Sequence, residues 1–338
     1  MDTMLQRLRD GIKQRRQDLA DWLTRSSPQE RETRSGPLGE AGIRAHLSVL
    51  DEALQKSERD TLGICDVCKE RVDESRLEMD FTACVCIDHL TGEERSRLEN
   101  DLELSVKVQR ALLPHQVPSI RGLEIAAFSR PASIVGGDYF DFVRMANGSQ
   151  AFVIADVMGK GMPASMLMAS LQASLRIIAP ESLEPNDVVC RLNQLFCHNI
   201  RLTKFVTFFI GRYDEESHIL TYCNAGHNPP LVVSKDGSRQ QLLPTGAAIG
   251  LAEQFEFSRK QITLRPGDRL LLYTDGVVDS WDKERALFGQ ERLEEFLSNA
   301  THLSAKDIIA ELRNRLQQFS GTETQSDDTT IVAISLDD

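Results

Sequence analysis

Aromatic residues are scarce in this chain, at 6% of 338 positions. No apolar run approaches the roughly 20 residues that a membrane-spanning helix needs, so no membrane partner is expected. Long basic tracts are also missing: 39 Lys and Arg stand against 51 Asp and Glu, for a net charge of −12. Nucleic acid and anionic membranes both call for clustered positive charge, so neither is expected as a partner. An acidic balance does suit a protein that holds divalent cations. Met1 is followed by Asp2 and then by a charged amphipathic pattern rather than a leader sequence, so a cytoplasmic location is expected. Cysteine is sparse and odd in number, at seven. Four of the seven fall between Cys65 and Cys86, which reads as metal binding rather than a disulfide framework.

What is present is enough apolar residue, 41%, for a sizeable core, in a length that fits two or three domains. Leu5, Leu8, Ile12, Leu19 and Trp22 recur at helical spacing and predict a first helix over residues 1–24. A polar stretch with Pro28, Gly36 and Pro37 predicts a loop. A second helix follows, with Ile43, Leu47, Leu50 and Leu54 on one face, and the two together predict an antiparallel helical hairpin. A third helix is predicted from Gly92 to Leu113, with a narrow stripe of Leu98, Leu102, Val106, Gln109 and Leu113, and with Pro114 ending it. Two readings of this helix stand open: a solvated linker, or a helix that forms a homodimer or transmits a signal.

From Gly122 onward the texture changes to short β-rich runs bounded by turn residues. They cover 123–128, 139–145, 151–156, 205–213, 219–224, 231–234, 255–262, 269–275 and 329–336. Two pairs of helical patterns interrupt them, at 163–179 with 185–200 and at 291–299 with 304–319. This order predicts packed antiparallel sheets with helices outside. The whole is α+β.

The cysteine-rich stretch has a defined spacing. Cys65 and Cys68 are two residues apart, seventeen residues follow, and then come Cys86 and His89, again two apart. Two such pairs of soft ligands are what a closed tetrahedral zinc site needs. Cys84 lies nearby, but Cys86 with His89 preserves the spacing. The stretch Leu62-Gly-Ile-Cys-Asp-Val-Cys-Lys-Glu70, Arg76-Leu-Glu78 and Cys86-Ile-Asp-His89, with the helical pair before it, resembles the DksA/TraR-type zinc fingers. That family usually has cysteine where His89 stands. Its members bind RNA polymerase through acidic residues at the hairpin tip; the tip here, Ser27 to Gly36, lacks the paired aspartates. The expectation is one structural Zn2+ in a scaffold or sensor module.

The chemistry is expected in the second half. Asp138, Asp156, Asp275 and the pair Asp327-Asp328 each sit beside glycine or at the end of an apolar run. Carboxylates at strand ends facing a common cleft hold hard cations such as Mg2+ and Mn2+. A single Asp-Gly is usually a turn; four such places in one domain point to metal. Of the other cysteines, Cys190, Cys197 and Cys223, none lies in a phosphate-loop motif, and a cysteine phosphatase mechanism is not expected.

Ordered motifs then carry a resemblance over residues 104–338. They run Gln109-Arg-Ala-Leu-Leu-Pro114, Pro131-Ala-Ser-Ile-Val-Gly-Gly-Asp-Tyr-Phe-Asp141, Asp156-Val-Met-Gly-Lys-Gly161, Phe205-Val-Thr-Phe208, Asn224-Ala-Gly-His-Asn-Pro-Pro230, Pro266-Gly-Asp268, Leu272-Tyr-Thr-Asp-Gly-Val277, Phe288-Gly289 and Asp327-Asp328. This stretch resembles the SpoIIE/RsbU-type serine phosphatases, a bacterial branch of the type 2C metal-dependent phosphatases. The resemblance implies a four-layer αββα sandwich over 116–338, after a zinc-binding helical module over 1–91 and a linker or switch helix over 92–115. It implies a protein serine/threonine phosphatase acting on a phosphoserine protein, such as an anti-sigma-factor antagonist in a partner-switching pathway. The alternative is a zinc-finger transcription modulator carrying a non-catalytic phosphatase-like scaffold.

Carried over by position, Asp138, Asp156, Asp275 and Asp327 match the family's metal aspartates, Asp138 and Asp156 being the catalytic pair. The Val157 carbonyl matches a main-chain ligand, and Asp328 shares the role of Asp327. Together they would hold two Mn2+ or Mg2+ ions about 4 Å apart, which activate water for in-line attack on phosphorus. The eukaryotic branch has histidine where this chain has Met158, so the leaving-group proton is expected from water or elsewhere. His227 reads as a turn histidine satisfied by backbone ahead of a catalytic one. Lys160 reads equally as a phosphate contact and as an exposed loop lysine.

Overall fold

A computed structural model describes residues 3–25, 39–59, 61–72, 77, 83–199, 205–321 and 327–336. The tip of the expected hairpin, 27–36, and most of the 73–82 segment lie outside the described residues. The chain divides into two compact units, Met1–Asp101 and Leu102–Asp338.

In the first unit, α1 (Thr3–Arg25) and α2 (Gly39–Glu58) follow the periodicity read above. Ile12, Leu50, Ala53 and Leu62 form a small core, with Leu19 and Leu47 packed against it. Arg16 on α1 pairs with Asp51 on α2. After α2 the chain turns through Gly63, whose positive φ of 72° puts it in the left-handed region. A side chain at Gly63 would meet the buried Leu77 at 2.7 Å. Cys65, Val72, Leu77 and Ala83 make a second small core, and a 3-10 turn, Ile87–His89, closes the segment. Helix α3 (Gly92–Leu112) follows. Its N-terminus is held by a reciprocal capping pair: Thr91 N–H donates to Glu94, and Glu94 N–H donates to Thr91 Oγ1.

The second unit has two five-stranded antiparallel sheets. One is ordered β1 (Leu123–Arg130), β10 (Thr329–Leu336), β9 (Arg269–Tyr273), β6 (Leu231–Val233), β7 (Arg239–Gln241). The other is ordered β2 (Tyr139–Arg144), β3 (Gln150–Val157), β4 (Val206–Asp214), β5 (Ile219–Ala225), β8 (Lys260–Thr263). Phe140, Phe152, Ile154 and Phe209 from one sheet meet Leu270, Leu272, Val332 and Ile334 from the other in a shared core. The alternate residues Ala151, Val153 and Ala155 face α4 (Gly161–Ile178) and α5 (Pro185–Asn199). On the far side, Leu271, Tyr273, Ile331 and Ala333 face α7 (Gly289–Asn299) and α8 (Ala305–Ser320). The layers are helices, sheet, sheet, helices. The central strands are buried on both faces, which is why β3 and β10 read as continuous apolar runs rather than as alternating ones.

Two local expectations need correction, and one strand carries no sequence signal. The run 255–262 is not one strand: β8 begins at Lys260, and Phe257 is buried as a separate anchor against the α4–α5 core. The strand expected over 269–275 stops at Tyr273, and Asp275–Val278 forms a short helix, α6. The polar edge strand β7 carries no apolar signal and is absent from the sequence reading.

Helix α4 matters most for the site, because it starts directly after the Asp156 loop. Leu171 and Leu175 anchor it on the β2–β5 sheet, and Arg176 reaches the fully buried Asp141 on β2 with two charge-assisted hydrogen bonds, at 2.7 and 2.8 Å. Leu171→Ala is expected to cost about 2–5 kcal/mol, checked by urea denaturation. A loss below 1 kcal/mol would show that α4 is not held by this contact face.

Candidate active site

The antiparallel register sets where the acidic residues meet. Asp138 immediately precedes β2 and Asp156 lies near the end of β3, and these strands pair with Tyr139 opposite Ala155. Asp275 follows β9, and Asp327 and Asp328 precede β10, with Tyr273 opposite Ile331. In each sheet the end of one strand therefore lies beside the start of its neighbour, and the carboxylates gather at one rim.

Hydrogen bonds tie the two sheets together there. Thr274 Oγ1 donates to Asp138 Oδ2 at 2.7 Å and accepts from Thr330 N–H at 2.9 Å. Gly137 N–H donates to Asp328 Oδ2 at 2.6 Å, and Ala132 N–H donates to Asp328 Oδ1 at 2.7 Å. The glycines are there for space. A Cβ at Gly136 would overlap the Asp328 carboxylate, one at Gly137 would stand 2.8 Å from the Val157 carbonyl oxygen, and one at Gly276 would overlap the Asp328 carbonyl. The structure thus brings Asp138, Asp156, Val157, Asp275, Asp327 and Asp328 to one place.

The electrostatics fit that crowding. Burial and then the charges of Asp156 and Asp328 push the Asp138 carboxyl well above the ordinary range. Asp156 is raised to about 7 by burial and by Asp275, Asp327 and Asp328, and Asp275 to about 6 by burial and by Asp327 and Asp279. Lys160 offsets part of this, with its ammonium 2.9 Å from Asp327, which places it at the site rather than in an unrelated loop. Asp279 is absent from the sequence reading. It caps α6 four residues after Asp275, and its carboxyl is raised by burial and by Asp327. The Asp275-x3-Asp279 spacing, which puts both on one helical face, was the available signal.

His227 is buried in a turn closed by Asn224, which accepts from the His227 N–H at 2.8 Å and donates to its carbonyl at 3.1 Å. Its Nδ1 meets Thr207 Oγ1 at 2.8 Å. Burial lowers its pKa to about 3, which favours the neutral ring and speaks against a general-acid role. Met158 is 45% exposed beside the rim. Cys223 is buried in the core.

The second cluster lies in the N-terminal unit. Ligand atoms of Cys65, Cys68, Cys86 and His89 all lie within 4.8 Å of one another. Among the described residues this is the one such group of three or more His, Cys, Asp or Glu side chains. Cys86 N–H donates to Cys65 Sγ at 3.3 Å. Cys84 stands outside the group, and its thiol pKa is raised by burial and by Asp66.

The two sheets, the flanking helix pairs and the carboxylate rim place the second unit in the class of type 2C metal-dependent phosphatases. Comparison with known proteins agrees. Residues 146–337 match the family model for stage II sporulation protein E, and the chain belongs to this SpoIIE family. It is 28% identical over 239 residues to phosphoserine phosphatase RsbU of Bacillus subtilis, covering 70% of this chain and 71% of that one. It is 30% identical over 267 residues to protein IcfG of Synechocystis, covering 71% of this chain and 42% of that one. Among solved structures, the SiaA-PP2C domain of Pseudomonas aeruginosa superposes with a TM-score of 0.65 at 22% identity, over 73% of this chain and all of that one. The RsbU and RsbW domains of Rv1364c from Mycobacterium tuberculosis superpose with a TM-score of 0.56 at 28% identity, over 67% and 63% of the two chains. The chain is a protein serine phosphatase.

The raised Asp156 carboxyl has a consequence for stability. A carboxyl whose folded pKa lies above its unfolded value stabilises fully below the unfolded pKa, near 4, and that contribution is lost as pH rises through the folded pKa, near 7. In protein stripped of divalent ions, the stabilisation from Asp156→Asn is expected to grow between pH 4 and 7 and then level off. Thermal melts at pH 5, 6, 7 and 8 check this; a pH-independent difference would show that Asp156 is not held in a repulsive cluster.

Proposed function

We propose that this chain hydrolyses phosphoserine on a regulatory protein, of the anti-sigma-factor-antagonist type, through a pair of Mn2+ or Mg2+ ions held by Asp138, Asp156, the Val157 carbonyl, Asp275, Asp327 and Asp328. The observation that carries this reading is the gathering of these oxygen donors at one rim. All the donors are hard oxygens, which suit these cations; burial and then mutual repulsion raise the carboxyl pKa values, and a divalent ion relieves the repulsion. Bound there, the ions supply charge neutralisation for the phosphoryl oxygens and a nucleophilic water at neutral pH.

The chain's own residues support the rest of the chemistry. Thr274 and the Gly137 and Ala132 amides fix Asp138 and Asp328 before substrate arrives. Lys160 is half-exposed beside Asp327, at the mouth of the site, and is suited to meet the substrate phosphate. With His227 neutral and buried, the proton for the serine leaving group is left to water or another group at the site. The RsbU relative is named a phosphoserine phosphatase, which supports the substrate class.

The N-terminal unit is read as a structural zinc module of DksA/TraR type, with Cys65, Cys68, Cys86 and His89 as ligands. Their soft, closely drawn donor set supports it. The division into a zinc module over 1–91, a helix over 92–115 and a catalytic domain over 116–338 is part of the same reading, as is a homodimer through α3, where Leu104 and Val108 are exposed. No observation favours the non-catalytic scaffold alternative.

Phosphate release from a phosphoserine antagonist protein is expected to require Mn2+ or Mg2+. Asp156→Ala or Asp275→Ala should lower it by about 10³-fold or more, since losing a metal site forfeits several kcal/mol of transition-state stabilisation. Turnover that survives either substitution unchanged would exclude the two-ion reading. Elemental analysis should find one zinc per chain, lost in Cys86→Ala while Mn2+-dependent activity persists. Equal zinc content in both proteins would exclude these ligands.

A further inference from the structure

Gln109 is the buried residue of α3. A buried polar side chain on an otherwise largely exposed helix needs partners to offset its desolvation, and both of its partners belong to one residue. Gln109 Nε2 donates to the Gly136 carbonyl at 2.6 Å, and Gly136 N–H donates to Gln109 Oε1 at 3.2 Å. The side-chain amide therefore closes on a single peptide position from both sides, as a strand neighbour would.

Gly136 is where such a clamp has leverage. The Asp328 carboxylate occupies the space a Gly136 side chain would fill. The next residue, Gly137, donates to Asp328 Oδ2 at 2.6 Å, and the one after it is Asp138, whose Oδ2 is held by Thr274. One tripeptide thus carries one rim aspartate and anchors another. Leu112 and Leu113, further along the chain from Gln109, pack into the cores of the same unit and fix this end of the helix.

We infer that Gln109 is a positioning residue that sets divalent-ion affinity by fixing the Gly136–Asp138 loop. This rests on the reading that Asp138 and Asp328 hold the ions. The amide is suited to the task because it offers a donor and an acceptor side by side and carries no charge. Glutamate in its place keeps the acceptor, loses the donor and adds an anion; leucine keeps neither hydrogen bond.

The test is Mn2+ binding to the full-length, zinc-loaded chain, read from the electron paramagnetic resonance signal of free Mn2+. Wild type, Gln109→Leu, Gln109→Glu and two controls, Leu112→Ala and Asp156→Asn, are compared. Outer-shell partners of metal ligands are worth 10–100-fold in affinity, so Kd is expected to rise by about 10-fold or more in both Gln109 variants. Leu112→Ala should lower Tm while leaving Kd within about twofold, which separates positioning from general loosening of the helix. Gln109→Glu keeps the shape of the side chain and serves where Gln109→Leu fails to fold. Wild-type affinity in a folded Gln109 variant would overturn the inference, as would an equal shift in Leu112→Ala. Mn2+ binding that is absent from wild type, or unchanged in Asp156→Asn, would instead overturn the metal reading and this inference with it.

Discussion

Mutual repulsion among acidic side chains is the constraint that the rest of the catalytic unit is built to withstand. Asp138, Asp156, Asp275, Asp327 and Asp328 share one rim, where burial and neighbouring charge raise the pKa of most of them. Left to side-chain freedom they would splay apart. They are held instead by main-chain amides, by the Thr274 hydroxyl and by strand register, none of which adjusts easily. The glycines at 136, 137 and 276 belong to the same solution, because each gives up a side chain where a carboxylate or carbonyl must pass. The two sheets supply the stiffness, with their ends converging on the rim from both layers.

The two clusters differ in a way that follows from their chemistry. Thiols and imidazole are weakly hydrated when neutral and tolerate close approach, so Cys65, Cys68, Cys86 and His89 sit within 4.8 Å. Carboxylates are strongly hydrated and repel one another, and at the rim burial and neighbouring charge raise their pKa values. A soft set suits one ion enclosed for structure, and a hard set suits ions that must also admit water and a phosphoryl group.

The sequence made the central strands legible because they are buried on both faces and so carry uninterrupted apolar runs, as in β3 and β10. It made the rim aspartates legible because turn glycines or the end of an apolar run mark them. Edge elements were opaque: β7 is Arg239-Gln240-Gln241, with no alternation to detect, and Phe255 and Phe257 imitate a strand that begins only at Lys260. Thr274 was hidden for another reason. Its role depends on Asp138 and Thr330, which other elements bring near, and no local pattern encodes that. Gln109 lay inside a recognised motif and a recognised stripe, yet its polarity gained meaning only once Gly136 was seen opposite it.

The pairing of β1 with β10 reaches across most of the catalytic unit, with Ser129 touching Thr330 although 201 positions separate them in the chain. The strands β2 to β5, by contrast, join neighbours in order. During synthesis the second sheet can therefore assemble while β1 still lacks its partner, and contacts of such long range form slowly. Hydrolytic competence is then withheld from the nascent polypeptide: the acidic rim is incomplete until the segment bearing Asp327 and Asp328 leaves the ribosome and threads between β1 and β9. The β1 edge that pairs with β10 stays open for that interval.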